Sequence, residues 1–285
     1  HSVVFSNDET TFALPIGKAY SDDYIRSTGT WRRSPLATET IEIDGQVFIP
    51  FIDVVKKFGM DAKYDPKISR TYVTTNIPPA RGIIYKGNTA QRLVALTFDD
   101  GPDPYYTPKI LDILKQKHVK ATFFVLGKQV EQFPNLMKRI VNEGHGIANH
   151  TWNHPRLPNL TTSELIKEIT STQKIMENTV NRKPDLFRPP YGDVTKSDLF
   201  VLDHIGFRVV GWSVDTLDWS GKSASEILAT IESNISPGGI ILQHNFQSKD
   251  RKLDGTVEAL PNIIDNLRKK GYQFVTVQTL LDNSR

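Results

Sequence analysis

The chain has 285 residues, 38% of them hydrophobic and 24% charged; that balance fits a globular protein with a sizeable core and excludes disorder, coiled coil and collagen. Its 35 Lys and Arg interleave with 32 Asp and Glu for a net charge of +3, which leaves no basic stripe and predicts no nucleic-acid partner. Cysteine is absent, so disulfides, thiol nucleophiles and thiolate ligands are excluded, and any metal must rest on His, Asp or Glu. No run reaches the eighteen or so apolar residues that cross a bilayer, so no transmembrane segment is expected.

In chain order, residues 40–51 alternate as a strand or hairpin around Asp44-Gly45. Residues 52–58 read as a short helix ended by Gly59, and 70–75 as another strand. Residues 76–82, Pro- and Gly-containing, read as a break. A small α+β domain is thus expected over 1–82 and a catalytic domain over 83–285. Residues 41–75 resemble the amine-oxidase N-terminal-like modules of some exported bacterial wall proteins, a resemblance that implies no copper chemistry.

From about Arg92 the rhythm changes. Seven short apolar runs, 93–98, 121–125, 146–149, 185–188, 207–212, 239–242 and 274–277, alternate with amphipathic helical stretches. That is an α/β pattern with a parallel sheet, closed as a barrel or open and doubly wound. Thr107-Pro108 reads as a helix start, and Thr161 to Glu164 and Ser223 to Glu226 have capping-box spacing.

The unusual polar residues recur just past the carboxyl ends of these runs, where parallel α/β folds build their sites. They are Asp99-Asp100-Gly-Pro, His150-Thr-Trp-Asn-His154, Arg188-Pro-Pro-Tyr191, Asp215-Thr-Leu-Asp218-Trp219 and His244. Each has an ordinary alternative: adjacent aspartates before Gly-Pro make turns, and a histidine after an apolar run is commonly a core residue. Read chemically, Asp100, His150 and His154 supply a carboxylate and two imidazoles with positions left for water and substrate. Arg188 would hold Asp99 ionised, a backbone N–H near Tyr191 would meet a developing oxyanion, and His244 would act as an acid raised by Asp218. Trp219 and Leu242 would wall an apolar slot. His118, His145 and His204 fall away from the strand ends and read as structural.

Taken together and in this order, Thr97-Phe-Asp-Asp-Gly-Pro102, His150-Thr-x-x-His154, Arg188-Pro-Pro-Tyr191, Asp215-x-x-Asp218-Trp219 and Leu242-x-His244 resemble the five motifs of the NodB-type polysaccharide deacetylases, carbohydrate esterase family 4. The resemblance covers residues 83–285 and implies a distorted (β/α) barrel of seven to eight parallel strands. It implies one divalent metal, usually zinc and sometimes cobalt or another ion, on Asp100, His150 and His154. It further implies Asp99 as base with Arg188 orienting it, the Tyr191 main chain as oxyanion donor, His244 as acid tuned by Asp218, and Trp219 with Leu242 around the acetyl methyl. Asn245, where many relatives carry Asp, is the one departure.

The expected activity is removal of N-acetyl groups from N-acetylglucosamine units of peptidoglycan, or next of chitin-type chains. An acetylxylan O-deacetylase and a non-catalytic wall-binding protein are the alternatives. A wall polymer as substrate implies an extracellular or wall-associated location.

Overall fold

The computed structural model describes residues 1–66, 69–75, 79–87, 89–246 and 253–284. Residues 76–78 of the expected break lie outside them. Two compact units result, one of His1–Ala80 with Pro155–Ile166 and Asp193–Val201, the other of Arg81–His154 with Lys167–Gly192 and Leu202–Arg285. Among the described residues no helix is long and apolar enough to cross a membrane.

The first unit opens with five strands that pair antiparallel in chain order: β1 (Ser2–Ser6), β2 (Thr11–Pro15), β3 (Lys18–Ile25), β4 (Thr30–Ile43) and β5 (Gln46–Phe48). Asp44 and Gly45 join β4 to β5 at φ 52° and 76°, the paired left-handed turn that suits a two-residue hairpin. Three strands ahead of residue 30 were not expected from sequence, because their outward positions carry as many apolar as polar residues. Helix α1 (Phe51–Lys57) and the hairpin β6 (Asp61–Asp65) and β7 (Arg70–Thr74) follow. Phe12, Leu14 and Leu36 from the sheet and Val54 from α1 form the core, with Phe5, Ile49 and Phe58 against it.

Within this unit Lys56 is an outlier, a lysine with a side chain 1% exposed. Its Nζ donates to Asp198 at 2.5 Å and to the Leu157 carbonyl at 3.1 Å. A buried ammonium holds its charge only when it is paired and hydrogen-bonded.

The second unit is an eight-stranded, wholly parallel sheet. Its elements are β8 (Leu93–Asp99), α2 (Tyr106–Gln116), β9 (Thr122–Val125), α3 (Gly127–Gln132), α4 (Pro134–Asn142), β10 (Gly146–Asn149), α5 (Thr162–Val180), β11 (Leu186–Phe187), α6 (Lys196–His204), β12 (Arg208–Val209), β13 (Val214–Asp215), α7 (Ala224–Asn234), β14 (Gly239–His244), α8 (Asp254–Lys269), β15 (Gln273–Phe274) and α9 (Val277–Asp282); the starts of α5 (162–166) and α6 (196–201) belong to the first unit. The strand order β12-β11-β10-β9-β8-β14-β13, with β15 beside the start of β8, is the distorted barrel.

Every residue of β8 is buried, as parallel strands covered on both faces are. Alternate side chains divide into two layers. Val94, Leu96, Phe98 and Ile241 pack outward against the helices. Leu93, Ala95, Phe124, Ala148, Leu186, Val210 and Ile240 pack inward, where Val277 and Leu280 of α9 join them.

Local chemistry explains where the elements differ from the sequence reading. The run 274–277 stops as a strand after Phe274 because Thr276 caps α9, its hydroxyl accepting from the Thr279 N–H at 3.2 Å. Strand β13 was not foreseen, since only two residues pair. Thr107 does not cap α2; Asp103 does, its carboxylate accepting from the Tyr105 and Tyr106 N–H groups at 2.9 and 2.5 Å. Both expected capping boxes form, Thr161 with Glu164 and Ser223 with Glu226. His145 is structural, its Nδ1 accepting the Ala121 N–H at 3.1 Å.

The Lys56 pair yields a test. Replacing Asp198 with Asn leaves a buried charge without its counter-charge, which costs about 3–5 kcal/mol. Thermal denaturation should show a clear drop in the unfolding midpoint of Asp198→Asn, and a smaller one for Lys56→Met with Asp198→Leu. Equal midpoints for Asp198→Asn and wild type would contradict the role given to the pair.

Candidate active site

The strand period of two places the site. On β8, inward positions run Leu93, Ala95, Thr97, Asp99, and on β14 Ile240, Leu242, His244; just past β10 and β11 the same inward phase reaches His150 and Arg188. Four polar side chains thus enter one pocket because each ends an inward column at the strand's carboxyl end or one residue past it.

Asp100 is out of phase with Asp99, yet it joins the same cluster. Its φ of 77° is a left-handed conformation that turns the chain at the strand end. Asn245 secures this turn from β14: its Oδ1 accepts the Gly101 N–H at 3.1 Å, its Nδ2 donates to Thr107 at 2.9 Å, and its own N–H donates to the Asp99 carbonyl at 3.0 Å. A Cβ at position 101 would stand 2.2 Å from the Asn245 amide, so only glycine fits there. Sequence reading named Asn245 only as a departure from the family motifs; its role in holding this turn was not foreseen.

Arg188 is fully buried and all of its donor nitrogens are used. Nη1 donates to Asp99 Oδ1 at 2.7 Å and to Thr97 at 2.9 Å, Nη2 to the Gly211 carbonyl at 2.9 Å, and Nε to the Val210 carbonyl at 3.3 Å. Its guanidinium lies 3.9 Å over the Phe124 ring and 5.7 Å from the Trp212 ring. Its backbone carbonyl accepts from His150 Nδ1 at 2.7 Å, which places that ring's proton on Nδ1 and leaves Nε2 with a free lone pair.

That lone pair faces Asp100. His150 Nε2 and His154 Nε2 each lie 3.3 Å from Asp100 Oδ1, and the three donor atoms lie within 4.8 Å of one another. Thr151 and His154 hold positive φ, 73° and 64°, so the His-x-x-x-His pair sits on a turn, with the Thr151 hydroxyl accepting the His154 N–H at 3.0 Å.

The set fits a divalent ion on its own chemistry. Asp100 Oδ1 is buried with no hydrogen-bond partner, an arrangement that otherwise costs free energy. Burial opposes the Asp100 charge, but the neighbouring imidazoles, His150 first and then His244, hold it well below the usual carboxylate range. Burial together with His150 pushes His154 down to about 4, so at neutral pH it is an uncharged, ligating imidazole. Two imidazoles and a carboxylate suit a divalent transition-metal ion, and three protein ligands leave room for water and substrate.

Across the pocket His244 Nδ1 bonds Asp218 Oδ1 at 2.7 Å. Asp218, itself fully buried, accepts further from the His244 N–H and the Thr256 hydroxyl, both at 2.8 Å, and from the Trp219 N–H at 2.9 Å. Burial alone would depress His244, but the Asp218 ion pair and hydrogen bond, with Asp100 and Asp99 nearby, raise it to about 9. With Nδ1 on Asp218, the second proton sits on Nε2.

Of the remaining candidates, Tyr191 sits at φ 60° in the turn Pro190–Gly192, its ring 4.6 Å from that of His154. Leu242 is buried, and Trp219 is 52% exposed. Asp215 pairs with Leu242 across β13 and β14 and accepts the Leu217 N–H at 2.9 Å. Thr256, Phe124 and Trp212, which support these groups, had no distinguishing signal in the sequence, and Thr97 showed only as the first residue of the first motif.

Residues 86–210 match the polysaccharide deacetylase family. A peptidoglycan-N-acetylglucosamine deacetylase of Bacillus cereus is 47% identical over 192 residues, 67% of this chain and 69% of that protein. The peptidoglycan-N-acetylglucosamine deacetylase PgdA of Listeria monocytogenes is 35% identical over 257 residues; the match takes in 90% of this chain but only 53% of that protein, about half its length. The crystal structure of a peptidoglycan N-acetylglucosamine deacetylase superposes with a TM-score of 0.68 at 45% identity, covering 71% of this chain and 94% of that one. The chain belongs to the polysaccharide deacetylase family, carbohydrate esterase family 4.

Proposed function

We propose that the protein hydrolyses the acetamido group of N-acetylglucosamine units in a polysaccharide, peptidoglycan first and chitin-type chains next. The observation that carries this reading is the placement of a carboxylate held by Arg188 and an imidazolium held by Asp218 on either side of the Asp100, His150 and His154 cluster. The names of the relatives support the polymer. Access to such a polymer puts the protein outside the cell or at its wall.

Amide hydrolysis needs an activated water, a stabilised oxyanion and a proton for the departing nitrogen. Asp100, His150 and His154 would hold the ion, most simply zinc. When bound, a divalent cation supplies Lewis-acid polarisation of the acyl oxygen and acidifies water. Asp99 takes the proton from the attacking water; Arg188 occupies its Oδ1 and so leaves Oδ2 for that task. The Tyr191 main-chain N–H donates to the developing oxyanion. His244 delivers its Nε2 proton to the leaving nitrogen, and its raised pKa keeps that proton available at neutral pH. Leu242 and Trp219 line the space for the acetyl methyl, and because water itself is the nucleophile no covalent intermediate on the enzyme is required.

Two outcomes follow. Acetate release from N-acetylglucosamine oligomers by metal-loaded protein should fall roughly 10²–10⁴-fold in Asp99→Asn, with metal content unchanged. No release by the wild type, equal rates in the variant, or release only from acetylxylan would overturn the N-deacetylase reading.

The pH profile tests the acid. His244 acts in its protonated form, so activity should persist up to its raised pKa, about 9, and decline above it. Asp218→Asn removes the charge that lifts this pKa, so the alkaline limb should move to lower pH while the acid limb stays in place. An unmoved alkaline limb would remove His244 as the acid.

A further inference from the structure

The sheet of the first unit buries one face and leaves the other open. Phe12 and Leu14 of β2 point into the core, both at most 1% exposed. Register defines the opposite face, since residues directly across an antiparallel pair share a side. Tyr20, Asp22 and Tyr24 alternate along β3, and across from them on β4 stand Pro35, Arg33 and Trp31. Ala13 of β2 lies beside Asp22.

This row has the composition of a binding surface. Trp31 is 55% exposed and Tyr24 37%, and their rings lie 5.2 Å apart, tilted by 54°. The Arg33 guanidinium stacks 3.8 Å over the Tyr20 ring while its Nε donates to Asp22 Oδ1 at 3.0 Å. A shallow cavity of about 510 Å³ opens among Ala13, Asp22, Trp31 and Arg33. From Tyr20 to Tyr24 the row runs about 13 Å at the usual strand rise, longer than one sugar ring.

Charge decides which occupant fits. Asp22 and Arg33 cancel, so the row carries no net charge, whereas a nucleic acid or an anionic membrane needs a surplus of cations. An apolar protein surface would strip water from an ion pair that now keeps it, at a net cost. An uncharged, hydroxyl-rich polymer meets both demands: its C–H faces stack on aromatic rings, and its hydroxyls accept from Arg33 and donate to Asp22.

We infer that this face binds a neutral polysaccharide strand, its sugar rings on Trp31 and Tyr24 and its hydroxyls on Asp22 and Arg33. The first unit thereby retains the kind of polymer on which the second unit acts; the identity of that polymer rests on the function proposed above.

The full chain, freed of metal by chelation, is titrated calorimetrically with an N-acetylglucosamine hexamer and sedimented with insoluble chitin. Trp31→Ala should weaken both by about ten-fold, the equivalent of about 1.4 kcal/mol, and Trp31→Phe should restore most of the loss. The thermal midpoint, and kcat/KM of the metal-reloaded protein for an N-acetylglucosamine disaccharide, should stay unchanged. Unaltered binding by Trp31→Ala overturns the inference, as does a single-stranded oligonucleotide that binds more tightly than the hexamer and is lost in the same variant. Failure of the wild type to release acetate from the disaccharide overturns the proposed activity instead, whatever the binding result.

Discussion

A buried ion pair, Asp99 with Arg188, organises the rest of the catalytic pocket. Arg188 has no exposure to water and Asp99 has 3%, so neither charge would survive there alone; removing one partner of such a pair costs about 3–5 kcal/mol. The guanidinium spends its other donors on Thr97 and on the carbonyls of Val210 and Gly211, and this fixes it as a rigid fork rather than a mobile cation. The same residue, through its backbone carbonyl, sets the tautomer of His150. One position therefore orients both the carboxylate proposed as base and an imidazole of the proposed ligand set, and the two-residue strand β11 is held by β10 and β12 on either side.

Around that pair, neighbouring groups are pushed toward different charge states. Asp100 stays ionised and His154 stays neutral, which is what a ligand set requires, whereas His244 is raised so that it carries a proton. Opposed shifts within one pocket thus separate two histidines, His154 as a neutral imidazole suited to the proposed ligand set and His244 as a protonated one suited to the proposed acid. The two adjacent aspartates are separable because one ends a strand and the other begins a left-handed turn. Asn245 holds that turn to the strand end that carries His244, so the strand ends that carry Asp99 and His244 are one hydrogen-bonded assembly.

Much of the site could be read from the sequence because its chemistry is carried by uncommon residues at strand ends, in an order the family motifs repeat. The barrel was legible for a related reason: strands buried on both faces leave continuous apolar runs. What escaped was held by partners rather than by local pattern. Strand β13 exists only through its pairing with β14, and the cap of α2 passed from Thr107 to Asp103 because a carboxylate reached two backbone N–H groups at once. The early strands of the first unit were hidden by the outward row that includes Tyr20, Tyr24 and Trp31, whose aromatic residues blur the inside-outside alternation. Thr256 is a common residue whose importance lies entirely in what it touches, and Thr97 and Asn245, though named with the motifs, did not reveal their supporting contacts there.

The central claim is that Asp100, His150 and His154 assemble one metal-dependent deacetylase centre beside the Asp99–Arg188 pair. The most direct test is to strip the protein with chelator and titrate zinc back while following acetate release from an N-acetylglucosamine oligomer. The account predicts that activity rises linearly and breaks at one ion per chain, and that His150→Ala shows no such break. Acetate release by the stripped protein at the full rate, or an unchanged titration in His150→Ala, would contradict it.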